Sequence, residues 1–181
     1  MSLVAVLPRG INLGARNKVS MPVLRTVLAE AGFVGIATYV SSGNIVVEAG
    51  DRTPDEVAET VRSLVAGRFG VDVLCVARTR EEVDATVAAD PLGDLPGVGA
   101  TPAQHSVLFL PHPPDPDALA RLDPEALLPE RVALVGRDLH TWHPEGLQSS
   151  RLDNQLSRLG IVGTARNWRT VLRLQEMLAD G

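Results

Sequence analysis

Lysine is all but missing from this chain: of its 17 basic residues only Lys18 is a lysine, and the rest are arginines. There is one cysteine, Cys75, so no intrachain disulfide can form. A lone thiol inside the apolar run 71–77 reads as a small hydrophobe rather than a reactive group. Aromatic residues make up 3% of the sequence, too few for the stacking platforms that hold single-stranded nucleic acid. Cations are outnumbered, and the formal net charge of −5 excludes a general polyanion binder that works by releasing many counterions. No apolar run approaches the ~20 residues that cross a bilayer, and residues 1–8 lack the length and basic flank of a signal peptide; cytoplasmic residence without membrane association is the expectation. There is no HExxH, no cysteine cluster and no nucleophile elbow. His140 and His143 bracket Trp142 and would point to opposite faces of a strand, so neither a metal site nor a cofactor is expected.

What is present suits a folded chain. The 181 residues, 45% hydrophobic and 22% charged, allow one full core or two small packed subdomains. Arg, Ala, Val and Pro are favoured throughout, as a GC-rich genome would enforce. A single lysine surviving that pressure suits a site needing a compact point charge that arginine cannot replace.

The element pattern is regular. A strand over 3–7 closes at Pro8, and the polar loop 9–19 leads to a helix with Ser20 as N-cap and Pro22 in its first turn. Leu24, Val27, Leu28 and Ala31 form its buried face. A strand over 34–40, a tight turn at 41–44 and a strand over 45–49 make a hairpin. The sequence Thr53-Pro54-Asp55-Glu56 is a capping box opening a second helix, and a strand over 71–77 follows. The order β-α-β-β-α-β is the ferredoxin-like arrangement, an α+β fold with both helices on one side of an antiparallel sheet. A second capping box at 79–82 opens a third helix, and the Pro/Gly-rich stretch 90–104 reads as a linker between subdomains 1–89 and 105–181. The second half repeats the pattern: a strand over 105–110, a short helix from Asp115, strands over 131–135 and 139–142, and a helix capped by Ser149 or Ser150. There the terminal helix, from about Asn167, stands in place of a sixth element.

Three polar stretches interrupt this scaffold. The first, Arg9-Gly10-Ile11-Asn12-Leu13-Gly14 on to Lys18, lies between a strand and a helix, where backbone N–H groups and a helix N-terminus attract anions. Its spacing fits neither a Walker loop nor a dinucleotide fingerprint. The second, residues 39–44, carries Ser41, Ser42 and Asn44 in a turn. The third, Arg166-Asn167-Trp168-Arg169-Thr170, places guanidiniums at a helix start, a position the helix dipole disfavours unless an anion binds there. Ser150 and Arg151 repeat the hydroxyl-plus-arginine pattern. The candidate ligand-binding set is therefore Arg9, Asn12, Gly14, Lys18, Ser41, Ser42, Asn44, Ser150, Arg151, Arg166, Asn167 and Thr170, with no catalytic residue among them assigned.

Together these stretches resemble the bacterial domain-of-unknown-function family numbered 1697. The resemblance runs through essentially the whole chain, with the three motifs in the family's order. It departs where the family often reads Ser-Lys-Leu and this chain has Ser150-Arg151-Leu152. The resemblance implies a two-subdomain α+β fold related to ferredoxin-like units and carries over no catalytic residues.

Three functions compete. The first is binding of a small phosphorylated or otherwise anionic ligand in a polar cleft formed where the stretches converge. The second is single-stranded nucleic-acid binding on a ferredoxin-like sheet, disfavoured by the missing aromatics. The third is a non-enzymatic protein-interaction module, in which the motifs serve turns and internal contacts. Burial and internal pairing of Arg9, Asn12 and Arg166 would point to the third.

Overall fold

The computed structural model describes residues 2–95 and 104–179. Of the expected linker 90–104, residues 96–103 lie outside the described residues. The chain divides into two compact units, Met1–Ala85 with Arg173–Gly181, and Thr86–Leu172.

The first unit holds β1 (Leu3–Pro8), α1 (Met21–Glu30), β2 (Ala37–Tyr39), β3 (Asn44–Glu48), α2 (Pro54–Phe69) and β4 (Cys75–Thr79). The strands form one antiparallel sheet in the order β2-β3-β1-β4. Strand periodicity sends Val4, Val6, Ile45, Val47, Cys75 and Ala77 to one face, where Leu24 and Leu28 of α1 and Val57, Val61 and Val65 of α2 complete the core. The capping box of α2 is complete: Thr53 Oγ1 accepts from Glu56 N, and the Glu56 carboxylate accepts from Thr53 N. The expected strand over 34–40 shrinks to Ala37–Tyr39 because Gly35 takes a left-handed φ of 62° that breaks the extended run. The last strand is displaced from 71–77 to Cys75–Thr79: β1 ends at Pro8, opposite Cys75, so residues 71–73 have no strand to pair with. Thr79 then closes the strand and caps α3 (Arg80–Ala89), exchanging hydrogen bonds with Glu82.

The second unit begins within α3 and contains β5 (His105–Phe109), α4 (Pro116–Leu119), β6 (Arg131–Val135), β7 (Asp138–Trp142), α5 (Arg151–Arg158) and β8 (Thr164–Asn167), and the chain ends in α6 (Trp168–Ala179). Its sheet order, β6-β7-β5-β8, is antiparallel and matches the first. Leu139, Leu152, Leu156, Leu127 and Ile161 form the core on one face. β8 is a correction: the sixth position holds a strand, and α6 follows it. Its four residues alternate buried and exposed, but the inward pair is Thr164 and Arg166, so no apolar alternation announced it. The molecule is a mixed α+β fold with two four-stranded antiparallel sheets and a C-terminal helix. Among the described residues no helix is long and apolar enough to cross a membrane.

Candidate functional site

At the end of β1 the chain turns back through a loop held by its own asparagines. Asn12 Nδ2 donates to Val19 O (2.9 Å) and Ser41 O (2.8 Å), and its Oδ1 accepts from Val19 N (2.9 Å). Asn17 Nδ2 donates to Gly10 O (3.0 Å), and Asn12 N to Asn17 O (2.9 Å). Both asparagines are left-handed, at φ 54° and 49°, a conformation their short polar side chains tolerate. Ile11 is driven into the core against Gly43, where a Cβ would collide with Ile11 Cδ1. Asn44, fully buried, closes the β2–β3 turn by donating to Tyr39 O (3.0 Å) and Ser42 Oγ (3.3 Å). Loop 9–19 and turn 40–43 are thus one fastened structure. Within it Val40, half-exposed and β-branched, is forced to φ 51°, a conformation seldom taken by such residues.

This structure is electropositive. Arg9, Arg16 and Lys18 are exposed, and among the described residues none has a hydrogen-bond or ion-pair partner for its side chain. The first acidic residue in the chain is Glu30. α1 starts directly behind the loop with no acidic residue in its first turn and no side-chain cap from Ser20, so the positive end of its dipole adds to the same field. Ser41, tied to the loop through Asn12, is exposed, Ser42 is half-buried, and Gly14 (φ 55°) has open space where a Cβ would stand. The first-unit candidates, Arg9, Asn12, Gly14, Lys18, Ser41, Ser42 and Asn44, therefore gather at one end of the first sheet. Asn12 and Asn44 act there as fasteners.

The second-unit candidates serve the scaffold more directly. Arg166 is not at a helix start but inside β8 opposite Val107, nearly buried, with Nη1 donating to Thr164 Oγ1 (2.8 Å) and Ala165 O (2.8 Å). The conflict with a helix dipole expected for it does not arise. Asn167 caps α6 by accepting from Thr170 N (2.9 Å), and Thr170 is buried. Ser150 caps α5 through Asp153 N (3.0 Å). Arg151 Nη2 donates to Leu128 O (2.6 Å), and the residue lines a cavity of about 240 Å³ with Glu130, Glu145 and Ser149.

Two polar clusters of this unit were not legible in the sequence. Glu130 accepts from His143 Nδ1 (2.8 Å), Arg151 N (3.0 Å) and Leu152 N (3.1 Å). Burial alone would raise its pKa, but the bonds from His143, Ser150 and the two backbone N–H groups outweigh it and hold the carboxyl below its usual range. The second cluster lies on the other face of the sheet. His105 Nε2 sits 3.3 Å from His140 Nδ1, and the half-buried Trp168 stacks on His105 with ring centroids 4.4 Å apart. Asp90, just past α3, joins them, with one ligand atom from each residue within 4.8 Å of the others. Burial lowers both imidazole pKa values, that of His140 to about 4. The only signal was the shared face of 140 and 142, and the β5–β7 register that brings His105 alongside cannot be read from spacing.

The fold and these features define a two-sheet α+β protein with a fastened cationic loop. Residues 1–140 match the family described as a protein of unknown function, DUF1697, and the chain belongs to that family. The third stretch, 166–170, lies beyond the matched segment. No curated protein matches the chain. Among solved structures it is similar to the conserved bacterial protein SP0830 from Streptococcus pneumoniae, at 22% identity over 98% of each chain with a TM-score of 0.74, a likeness of fold.

Proposed function

We propose that the chain binds a small anionic ligand, phosphorylated ligands foremost, at loop 9–19 and turn 40–43 of the first unit. The observation that carries this reading is the set of exposed cations Arg9, Arg16 and Lys18, which have no counter-charge among the described residues and stand on a loop that Asn12 and Asn17 hold rigid. Fastening matters energetically, because a ligand meeting preset donors does not have to order them. Arg9 and Lys18 supply charge, Ser41 and Ser42 hydroxyls, and Gly14 room for close approach of a ligand to backbone. On this reading Ser150, Arg151, Arg166, Asn167 and Thr170 serve the caps and strands of the second unit. The element and strand orders of both units support classing each as a ferredoxin-like unit.

The interaction-module reading has one observation in its favour: Asn12 and Arg166 are bonded within the protein, as that reading requires. The side chain of Arg9 has no such bond among the described residues, and the cationic loop is what that reading leaves unexplained.

The test is a thermal-shift panel of phosphate, sulfate, nucleotides and sugar phosphates, run on the wild type and on Arg9→Ala and Lys18→Ala. A ligand at 100 times its Kd adds about 2.7 kcal/mol, a rise of roughly 5–10 °C for a chain of this size. The reading expects such a rise with at least one phosphorylated compound and its loss in both variants. No rise across the panel, or an equal rise in the variants, contradicts it.

A further inference from the structure

We propose that Asp90, His105 and His140 bind one divalent transition-metal ion, with Zn2+ as the reference occupant. The proposal is independent of the cationic loop and lies wholly in the second unit.

Two ligands at about 2.0–2.1 Å from a tetrahedral ion stand roughly 3.3 Å apart, and His105 Nε2 and His140 Nδ1 are separated by 3.3 Å. The two rings come from adjacent strands: His140 pairs with Val107 and Trp142 with His105, so the histidines are diagonal neighbours on one face of the sheet. Strands hold ligands more precisely than loops do. Trp168 stacks on His105 at an interplanar angle of 16° and fixes that ring's plane. Asp90 adds the carboxylate. It is the partly exposed member, held just past α3 at a positive φ of 21°, with a carboxylate oxygen within 4.8 Å of both imidazole ligand atoms.

The pairing left without an ion is poor. Two imidazoles facing each other through ring nitrogens share one proton. Asp90 Oδ1 is then buried with no hydrogen-bond partner, a cost that an ion held by this carboxylate would remove. Burial favours neutral imidazole in both rings, the form that ligates. Two nitrogens and one carboxylate oxygen suit Zn2+ and its late first-row neighbours rather than Mg2+ or Ca2+, which prefer all-oxygen sets. Three protein ligands leave a further position for solvent or another donor.

The experiment uses the full chain, stripped with a chelator and titrated with Zn2+ by calorimetry and with Co2+ by its visible d–d absorption. The expected result is one ion per chain, with tetrahedral-type Co2+ absorption, and affinity that falls once acidification protonates the imidazoles. Loss of an outer-shell partner costs roughly 10–100-fold in affinity, and His105→Ala, His140→Ala and Asp90→Asn should each weaken binding at least that much. His112→Ala, at an exposed histidine outside the cluster, should leave it unchanged. Circular dichroism checks folding, and should a histidine variant unfold, Asp90→Asn at the partly exposed position decides. Failure of the wild type to bind at 100 μM, or equal affinity in wild type and Asp90→Asn, overturns the proposal and leaves a hydrogen-bonded histidine pair.

Discussion

Asn12 is the residue on which the first unit's loop depends. Its side chain makes three hydrogen bonds, to Val19 N, Val19 O and Ser41 O. Replacing it by alanine removes all three and leaves Val19 N without an acceptor. At about 1 kcal/mol for each bond, Asn12→Ala should destabilise the protein by roughly 2–3 kcal/mol in urea unfolding. A loss below half a kilocalorie would show that the loop is held by something else. His140 makes the complementary prediction. Burial, and secondarily His105, holds its pKa at about 4 in place of the ordinary 6.5. The folded state therefore refuses a proton that the unfolded chain accepts between those values. The contribution is fully present above pH 6.5 and is lost as pH falls toward 4, at up to about 1.4 kcal/mol per pH unit for each such imidazole. Stability of the chelator-treated protein measured across that window should decline on acidification, and His140→Gln should flatten the decline. A profile already flat in the wild type would mean that the imidazoles are charged or solvated in the folded state.

At the scale of elements, the β2–β3 turn is where packing and the candidate site meet. Gly43 is at φ 80°, and Ile11 occupies the space a side chain would need. Gly43→Ala combines a left-handed penalty with an overpacked contact, each of order 1–3 kcal/mol. It should lower stability by at least about 2 kcal/mol and weaken any ligand held by the loop. An unchanged urea midpoint would show that the turn yields freely. Elements announced by chemistry were legible beforehand: the capping boxes at Thr53 and Thr79, the cap at Ser149 or Ser150, which falls to Ser150, and the turn at 41–44 each carry a residue type that such geometry rewards. Elements set by a partner were not. β4 could not be placed until β1 was known to stop opposite Cys75, and β8 was hidden because its inward residues are Thr164 and Arg166. That one error turned Arg166 from a strand residue with internal acceptors into a cation at a helix start.

At the scale of the molecule, the first sheet could be foreseen from the order of elements, because a β-α-β-β-α-β order leaves few unknotted ways to pair its strands, whereas the second could be foreseen only without β8. The candidate site was legible in part. The polar loop stands out in sequence because its glycines, asparagines and cations have no role in a core, yet the same signal marked Asn44, Asn167 and Ser150, which cap or close elements. Sequence shows that a polar residue is constrained, and only coordinates show whether protein or ligand constrains it. The Asp90–His105–His140 cluster was invisible for the opposite reason: its members lie on separate elements and carry no shared spacing. The central claim, an anion site at the first unit's loop, is tested most directly by titrating the 15N-labelled chain with the phosphorylated compound that raises its melting temperature most, or with inorganic phosphate if none does. The account predicts saturable shifts concentrated at residues 9–19 and 40–43 that disappear in Lys18→Ala; shifts absent from those residues, or centred in the second unit, would contradict it.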